Sequence, residues 1–430
     1  MKGPELSNHF KNRNPSSIRQ AQLKFQERED KDLIEVINLA IGNVKLPMYP
    51  SMINRLKNLG QKDHFQDGVI PYTSTVGTED SRKAFLNILS ALDIDTSKLY
   101  VNITDGGSSS MEIMMLGVSG PSSKSPIMLL DPSYTNYIQF AQRLKIPTVT
   151  IERRMNDDGS FEKLNFNQIS AMIKKHKPSA LIVIPYDNPT GQFINQKTLD
   201  KIAKICVENS TWLVSDEAYR PLVYGGQEPS SIWKISLEDE PGICTYRISI
   251  ESASKVWNGC GLRIGSIITD NEEFHKKAIS EYTANLCANT IGQNIFGTLA
   301  HESHENIQEW YLMQTKYYEN LFNSLKNRFN KEFPGLIISK PEASIYCILD
   351  FKNICTIEFE SEVFIEFCAK KGAIKIDQKI YTILLAPMSG FYKQSKKANT
   401  QLRLSLVESP GLLKITPKIL YRLFNKFQEL

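Results

Sequence analysis

From about residue 95 to 270, short apolar runs alternate with amphipathic stretches of helical period, the runs being "SPIMLLDP", "ALIVIPY", "TWLVSDEAY" and "YRISIES". Parallel strands crossed over by helices produce this pattern. Between the second and third runs, Leu199, Ile202, Ala203 and Cys206 stand at i, i+3, i+4 and i+7, the stripe of a helix packed on a sheet. Runs that are apolar throughout, rather than at every second residue, are buried on both faces. The fold class is therefore α/β.

A chain of 430 residues, 41% of them hydrophobic, exceeds what one hydrophobic core usually serves, which predicts two domains. Helix signals dominate from about 273 to 330. A mixed region with "GLIISKP", "SIYCILDF" and a last helix, "KITPKILYRLFNKFQEL", follows and is expected to form a smaller α+β domain with the N-terminal segment. The division expected is 1–50 for an N-terminal arm and small-domain segment, 51–300 for the large domain and 301–430 for the small one. Within the arm, Gly42 and Pro47 mark "IEVINLAIGNVKLP" as a connecting loop more than a packed element. The extension before residue 30 is expected to be a helix packing over a partner copy.

Net charge is only +4, with Lys and Arg dispersed among Asp and Glu, so neither nucleic acid nor a membrane surface is the expected partner. Seven cysteines without a CxxC pair, such as Cys206 and Cys347 in apolar surroundings, predict buried thiols in a reducing compartment. The first thirty residues lack the apolar core of a signal peptide, and no apolar run approaches the roughly 20 residues of a membrane span. A cytoplasmic protein is expected. Six scattered histidines, with no HExxH and no cysteine–histidine cluster, predict no metal site.

Ligands of open parallel sheets bind outside the carboxyl ends of the strands, which gives weight to polar residues directly after an apolar run. Asp131 to Tyr134 follow "IMLL", "DNPTG" (187 to 191) follows "LIVIPY", Asp216 to Tyr219 follow "WLVS", and Ser254 and Lys255 follow "RISIES". Singly, each has a plain explanation: turn chemistry for Asn188 to Gly191, a helix cap for Asp216, a surface ion pair for Arg263. Falling together at one sheet edge, they predict one site. In "TDGGSSSMEIMM" (104 to 115), small residues run into a helix-compatible segment, and backbone N–H groups there, backed by the helix dipole, suit a phosphate. No GxxxxGK[ST] occurs. Gly259, Gly261 and Gly265 superficially match a dinucleotide fingerprint, but the third glycine is one position late and no strand runs directly into a helix there.

A single ligand satisfying these groups carries a phosphate for the glycine–serine loop and Arg263, a flat ring, a basic ring atom for Asp216 and an aldehyde for Lys255. Pyridoxal phosphate has all four. With "NPTG", "SDEAY", "SxSK" and "GLRIG" in order, the chain resembles the fold-type I pyridoxal-phosphate enzymes, specifically the aspartate aminotransferase superfamily of class I and II aminotransferases, from about residue 40 to 404. The resemblance implies a mostly parallel, seven-stranded sheet in the large domain. It implies Lys255 as the Schiff-base lysine, Asp216 as partner of the pyridine nitrogen, and Tyr219 and Asn188 as donors to the cofactor's phenolic oxygen. Tyr134 would stack on the ring. Gly107, Ser108, Ser252 and Arg263 would hold the phosphate, while Arg403, with Asn188 and the Gly42 backbone, would bind the substrate α-carboxylate. Tyr72 in "PYTSTVG" would reach the phosphate of a neighbouring subunit, implying a homodimer with shared active sites.

The reaction implied is amino-group transfer between an L-amino acid and a 2-oxo acid, of aspartate or aromatic type, within amino acid metabolism. A lyase, racemase or synthase on the same cofactor is the alternative, because fold does not fix reaction. A non-enzymatic binding protein on this fold is disfavoured by the intact Lys255, Asp216, Asn188, Tyr219 and Arg263. "EYTANLCANTIGQN" (281 to 294) is expected to approach the site.

Overall fold

The computed structural model of the chain describes residues 3–13, 15–61, 65, 67–356, 358–394 and 398–430. Strand β1 (Ile34–Asn38) belongs to a sheet completed far downstream. The next seven are β2 (Tyr100–Thr104), β3 (Ile127–Asp131), β4 (Thr148–Glu152), β5 (Ala180–Val183), β6 (Trp212–Asp216), β7 (Arg247–Ser252) and β8 (Gly265–Thr269). They form one sheet in the order β2-β8-β7-β6-β5-β3-β4, in which only β8 opposes its neighbours. The expected α/β class and mostly parallel sheet are thus observed. Leu213, Val214, Ile248 and Ile250 are fully enclosed, as uninterrupted apolar strands covered on both faces require. On helix Gln196–Glu208, started by Asn195 accepting from the Thr198 amide, the stripe Leu199, Ile202, Ala203 and Cys206 is completely buried. Leu199 and Ile202 each contribute about 1.5–3 kcal/mol by leaving water.

The remaining strands are β9 (Ile337–Ile338), β10 (Tyr346–Asp350), β11 (Ile374–Ile376), β12 (Lys379–Leu384), β13 (Ala386–Pro387) and β14 (Gln401–Ser405). They build an antiparallel sheet, β13-β14-β10-β9, and a second sheet, β1-β12-β11. The reading of "IEVINLAIGNVKLP" as a connection is corrected here: its first five residues are strand β1, parallel to β12 from Ile34↔Ile380 to Asn38↔Leu384, with Ile37 and Leu39 fully buried. Only the stretch after Asn38 is loop, and it leads into the site. The N-terminal extension is helical as expected and is seated on its own chain. Helix Ser17–Gln26 packs on helix Ser361–Lys370 of its own chain, burying Ile18, Ala21 and Phe25, and Arg28 donates to the Gly372 carbonyl at 2.8 Å. Buried apolar residues at three-to-four spacing give that helix its own-chain face. The last helix begins at Pro410, capped by Ser409, ahead of the apolar stretch that signals it.

Behind the carboxyl ends of β6 and β7 lies a buried cluster of two carboxylates and one guanidinium. Arg220 reaches Glu251 at 2.8 Å and Glu217 at 3.3 Å, while Ser215 and Ser249 donate to the two glutamates. Burial pushes Glu251 up to about 7 from the ordinary 4.5, outweighing the attraction of Arg220, and the neighbouring Glu217 adds to the rise. The folded protein therefore holds a proton that the unfolded chain has released, and this contribution to stability is lost as pH rises from about 4.5 to about 7. Glu251→Gln is expected to flatten the fall of melting temperature across that window. Equal slopes for variant and parent in thermal scans from pH 4.5 to 8 would refute this.

Candidate active site

The carboxyl ends of β3, β5, β6 and β7 open onto one cavity of about 740 Å³, lined among others by Tyr134, Asn188, Asp216 and Lys255. Gly107 and Ser108, at the start of helix Gly106–Val118, close one end; Gly42 and Arg403 close the other. The four sequence coincidences thus converge on one site.

At the glycine end, Asp105 stands at the N-cap position, yet its carboxylate does not cap the helix. Tyr282 Oη and the Asn289 amide donate to it instead, at 2.8 and 3.0 Å, so its charge is turned away from the cavity and the first N–H groups of the helix remain available to an anion. Gly106 has φ +76°, and a Cβ there would overlap the Arg263 guanidinium. Arg263 itself adopts φ +55°, donating through Nη1 to the Cys260 carbonyl at 3.0 Å. The glycines after Lys255 are the turn that returns this cation to the helix start. Ser252 Oγ accepts from the Ser254 amide at 3.0 Å and lines the same end.

In the middle of the cavity Asp216 is almost wholly buried. Tyr137 Oη donates to it at 2.9 Å and the Ala218 amide at 3.2 Å. Burial raises its pKa to about 6, against the lowering effect of those two donors; Glu217 raises it further and Lys255 lowers it. A cationic N–H brought to this carboxylate offsets the burial penalty. Tyr134 presents its ring to the same space, edge-on to Tyr137. The half-buried Lys255 donates through Nζ to the Gly42 carbonyl at 2.5 Å. Tyr219 and Asn188 meet near it, with Asn188 Nδ2 3.5 Å from the Tyr219 hydroxyl.

Arg403, on β14, is 1% exposed. Its Nη1 donates to Asn188 Oδ1 at 2.8 Å and its Nη2 to the Ala40 carbonyl at 2.6 Å, while Nε is buried with no partner among the described residues. The rings of Tyr346 and Phe391 lie 4.3 and 4.8 Å from Cζ. Among the described residues no carboxylate lies in ion-pair range of it, so a buried guanidinium faces the cavity with only neutral acceptors. Burying such a charge is expensive unless an anion joins it.

Tyr72, expected to reach the phosphate of a neighbouring subunit, is 76% exposed and lies outside this chain's own cavity. One expectation is not met there. The segment 281–294 supplies none of the cavity's lining; Asn289 and Tyr282 instead hold Asp105, and Thr290 Oγ1 donates to the Pro71 carbonyl at 3.2 Å. Nor are all cysteines buried: Cys260 is half-buried on the cavity wall, with Sγ 3.2 Å from Asn43 Oδ1. Residues that sequence reasoning passed over are Tyr137, Tyr346, Phe391, and Arg19 and Gln22 of the N-terminal helix, which line the mouth. The signal for Tyr137 was available, since one helical turn separates it from Tyr134. For Tyr346 it was only a hydroxyl at the start of the apolar run in "SIYCILDF".

A helix start stripped of its cap, a buried carboxylate, an amine and an aromatic face together suit an anionic, flat, aldehyde-bearing molecule, and Arg403, which no carboxylate pairs among the described residues, suits a carboxylate beside it. The family model of the class I and II aminotransferases matches residues 34–408. The chain is 24% identical to the aspartate aminotransferase of Sulfurisphaera tokodaii over 359 residues, covering 81% of this chain and 83% of that one. It is also 24% identical to the asparagine–oxo-acid transaminase of Streptococcus mutans, over 71% and 78%. Its fold is similar to that of a Thermus thermophilus aspartate aminotransferase single mutant, with TM-score 0.77, 20% identity and coverage of 98% and 100%. The N-succinyldiaminopimelate aminotransferase of Mycobacterium tuberculosis gives TM-score 0.80, 17% identity and 97% and 100%. With the family's pattern matched along nearly the whole chain and the site's chemistry in agreement, this protein belongs to the class I and II aminotransferases, pyridoxal-phosphate enzymes that catalyse transamination.

Proposed function

We propose that this transaminase acts on L-amino acids with an acidic side chain, of aspartate type, with aromatic amino acids as the second substrate class. The observation that carries the carboxylate reading is Arg403, a buried guanidinium that no acidic side chain among the described residues neutralises. Its planar fork grips an α-carboxylate with two parallel hydrogen bonds, fixing which Cα bond is held perpendicular to the ring plane. Arg19 supports the acidic side chain: it lines the mouth and touches Gln22 at 3.3 Å, and among the described residues it has no carboxylate partner, whereas the nearby Lys45 is already paired with Glu408 at 2.5 Å. The naming of the Sulfurisphaera relative as an aspartate aminotransferase points the same way.

When bound, pyridoxal phosphate supplies an aldehyde for the amino group and a ring that draws off electrons from Cα. Gly107, Ser108, Ser252 and Arg263 hold its phosphate in this reading. Asp216, oriented by Tyr137, keeps a proton on the ring nitrogen. Tyr219 and Asn188 donate to the phenolic oxygen, and Tyr134 stacks on the ring. Lys255 Nζ would be the base that takes the proton from the substrate Cα and the acid that gives it back. Gly42 lends its carbonyl as the amine's resting partner.

Two copies would complete the site. Tyr72 is exposed beside Val69 and Ile70, and a second copy seated on this apolar face would receive Tyr72 at its phosphate. The chain division at about residues 50 and 300 is supported by β1 joining β12. A cytoplasmic location is supported by seven unpaired cysteines, and among the described residues no helix is long and apolar enough to cross a membrane.

A spectrophotometric screen of single amino acids without an acceptor tests the reading. Aspartate and glutamate should convert the bound cofactor stoichiometrically to the pyridoxamine form, whereas sustained release of ammonia would indicate a lyase. Arg19→Ala should raise KM for aspartate by roughly three- to fivefold, the range of an exposed ion pair, and leave that for an apolar amino acid unchanged. An equal change for both substrates would remove Arg19 from substrate selection.

A further inference from the structure

Tyr346 opens β10, the strand paired with the one that carries Arg403, and is 2% exposed. Its hydroxyl lies 2.8 Å from that of Tyr219, the two rings meet edge to face at 5.5 Å, and its face lies under the Arg403 guanidinium. Gly42 is the third wall: a Cβ at that position would overlap the Tyr346 hydroxyl and stand 3.2 Å from Lys255 Nζ. A glycine is thus needed for this hydroxyl to reach Tyr219.

Each phenol has one proton to donate. In the reading above, Tyr219 spends its proton on the cofactor's phenolic oxygen and cannot also give it to Tyr346. The 2.8 Å contact then has only one direction, with Tyr346 donating to the Tyr219 oxygen. A donor that itself accepts a hydrogen bond is polarised and donates more strongly. We infer that Tyr346 is a positioning residue, which through its hydroxyl orients Tyr219 and strengthens its hydrogen bond to the cofactor's phenolic oxygen. The inference rests on Tyr219 being that donor. Stronger donation favours the anionic form of the oxygen, and the bound cofactor then loses its shared proton at lower pH.

Tyr346→Phe keeps the ring beneath Arg403 and removes only the hydroxyl. In the holoenzyme, the pH midpoint of the cofactor's visible absorbance change is expected to rise by about 0.3–1 unit, a two- to tenfold change in proton affinity. In a Tyr219→Phe background the same substitution should move the midpoint little, because it acts through Tyr219. An unchanged midpoint in the single variant, or a full shift in the Tyr219→Phe background, would overturn the inference. A parent protein that acquires no visible band with pyridoxal phosphate would instead refute the cofactor assignment, a distinguishable failure.

Discussion

Lys255→Ala is expected to lower transamination by about 10⁴-fold, the upper range for a lost general base and acid, while the protein still folds and still takes up pyridoxal phosphate. The side chain is half-buried and among the described residues its one hydrogen bond is to the Gly42 carbonyl, so little of the packing depends on it. In the proposed reading the phosphate and ring contacts would come from other elements, the start of helix Gly106–Val118 and the ends of β6 and β7, which line the same cavity and which the substitution leaves in place. Borohydride treatment separates attachment from binding. It should fix the cofactor to the Lys255 peptide of the parent, detected by mass spectrometry, and fix none to the variant. A variant with parental activity, or with the cofactor fixed to another lysine, would displace Lys255 from its role.

What could be read from the chain divides along a physical line. A polar residue closely following a buried apolar run announces itself locally, because the two are near neighbours in the chain; Asp216 in "WLVSD" and Asn188 in the "DNPTG" that follows "LIVIPY" are of this kind. The sheet was legible for the same reason. Contacts closed across long separations were not. Strand β1 looked like a loop because its partner begins at Lys379, and helix Ser17–Gln26 looked like an accessory because helix Ser361–Lys370 is equally remote. Tyr346 and Arg19 reach the cavity only through those pairings: β14 brings β10 to Asn188 and Tyr219, and the N-terminal helix brings Arg19 to the mouth. Asp105 shows a subtler case. An aspartate before a glycine-rich helix start reads as its cap, and only the approach of Tyr282 and Asn289 leaves that start free for an anion.

Arg403→Leu is expected to lower kcat/KM for amino acid substrates by roughly 10²–10⁴-fold, the loss of two charge-assisted hydrogen bonds to one carboxylate. Arg403→Lys should recover only part of this. An ammonium retains the charge, but it cannot keep the geometry that uses Nη1 on Asn188 and Nη2 on Ala40 while facing a carboxylate with the remaining edge. A second consequence needs no turnover. Because the guanidinium is buried with only neutral acceptors, an anion entering the cavity relieves a penalty already present in the folded protein, and binding to the folded state raises the melting temperature. A saturating 2-oxo acid should therefore stabilise the parent holoenzyme against heat and leave Arg403→Leu unmoved. Leucine between the rings of Tyr346 and Phe391 replaces a charge with apolar volume, so the variant is expected to remain folded, which makes the thermal comparison interpretable. Should the oxo acid stabilise both proteins equally, the carboxylate is held elsewhere, and Arg19 at the mouth becomes the cation to test next.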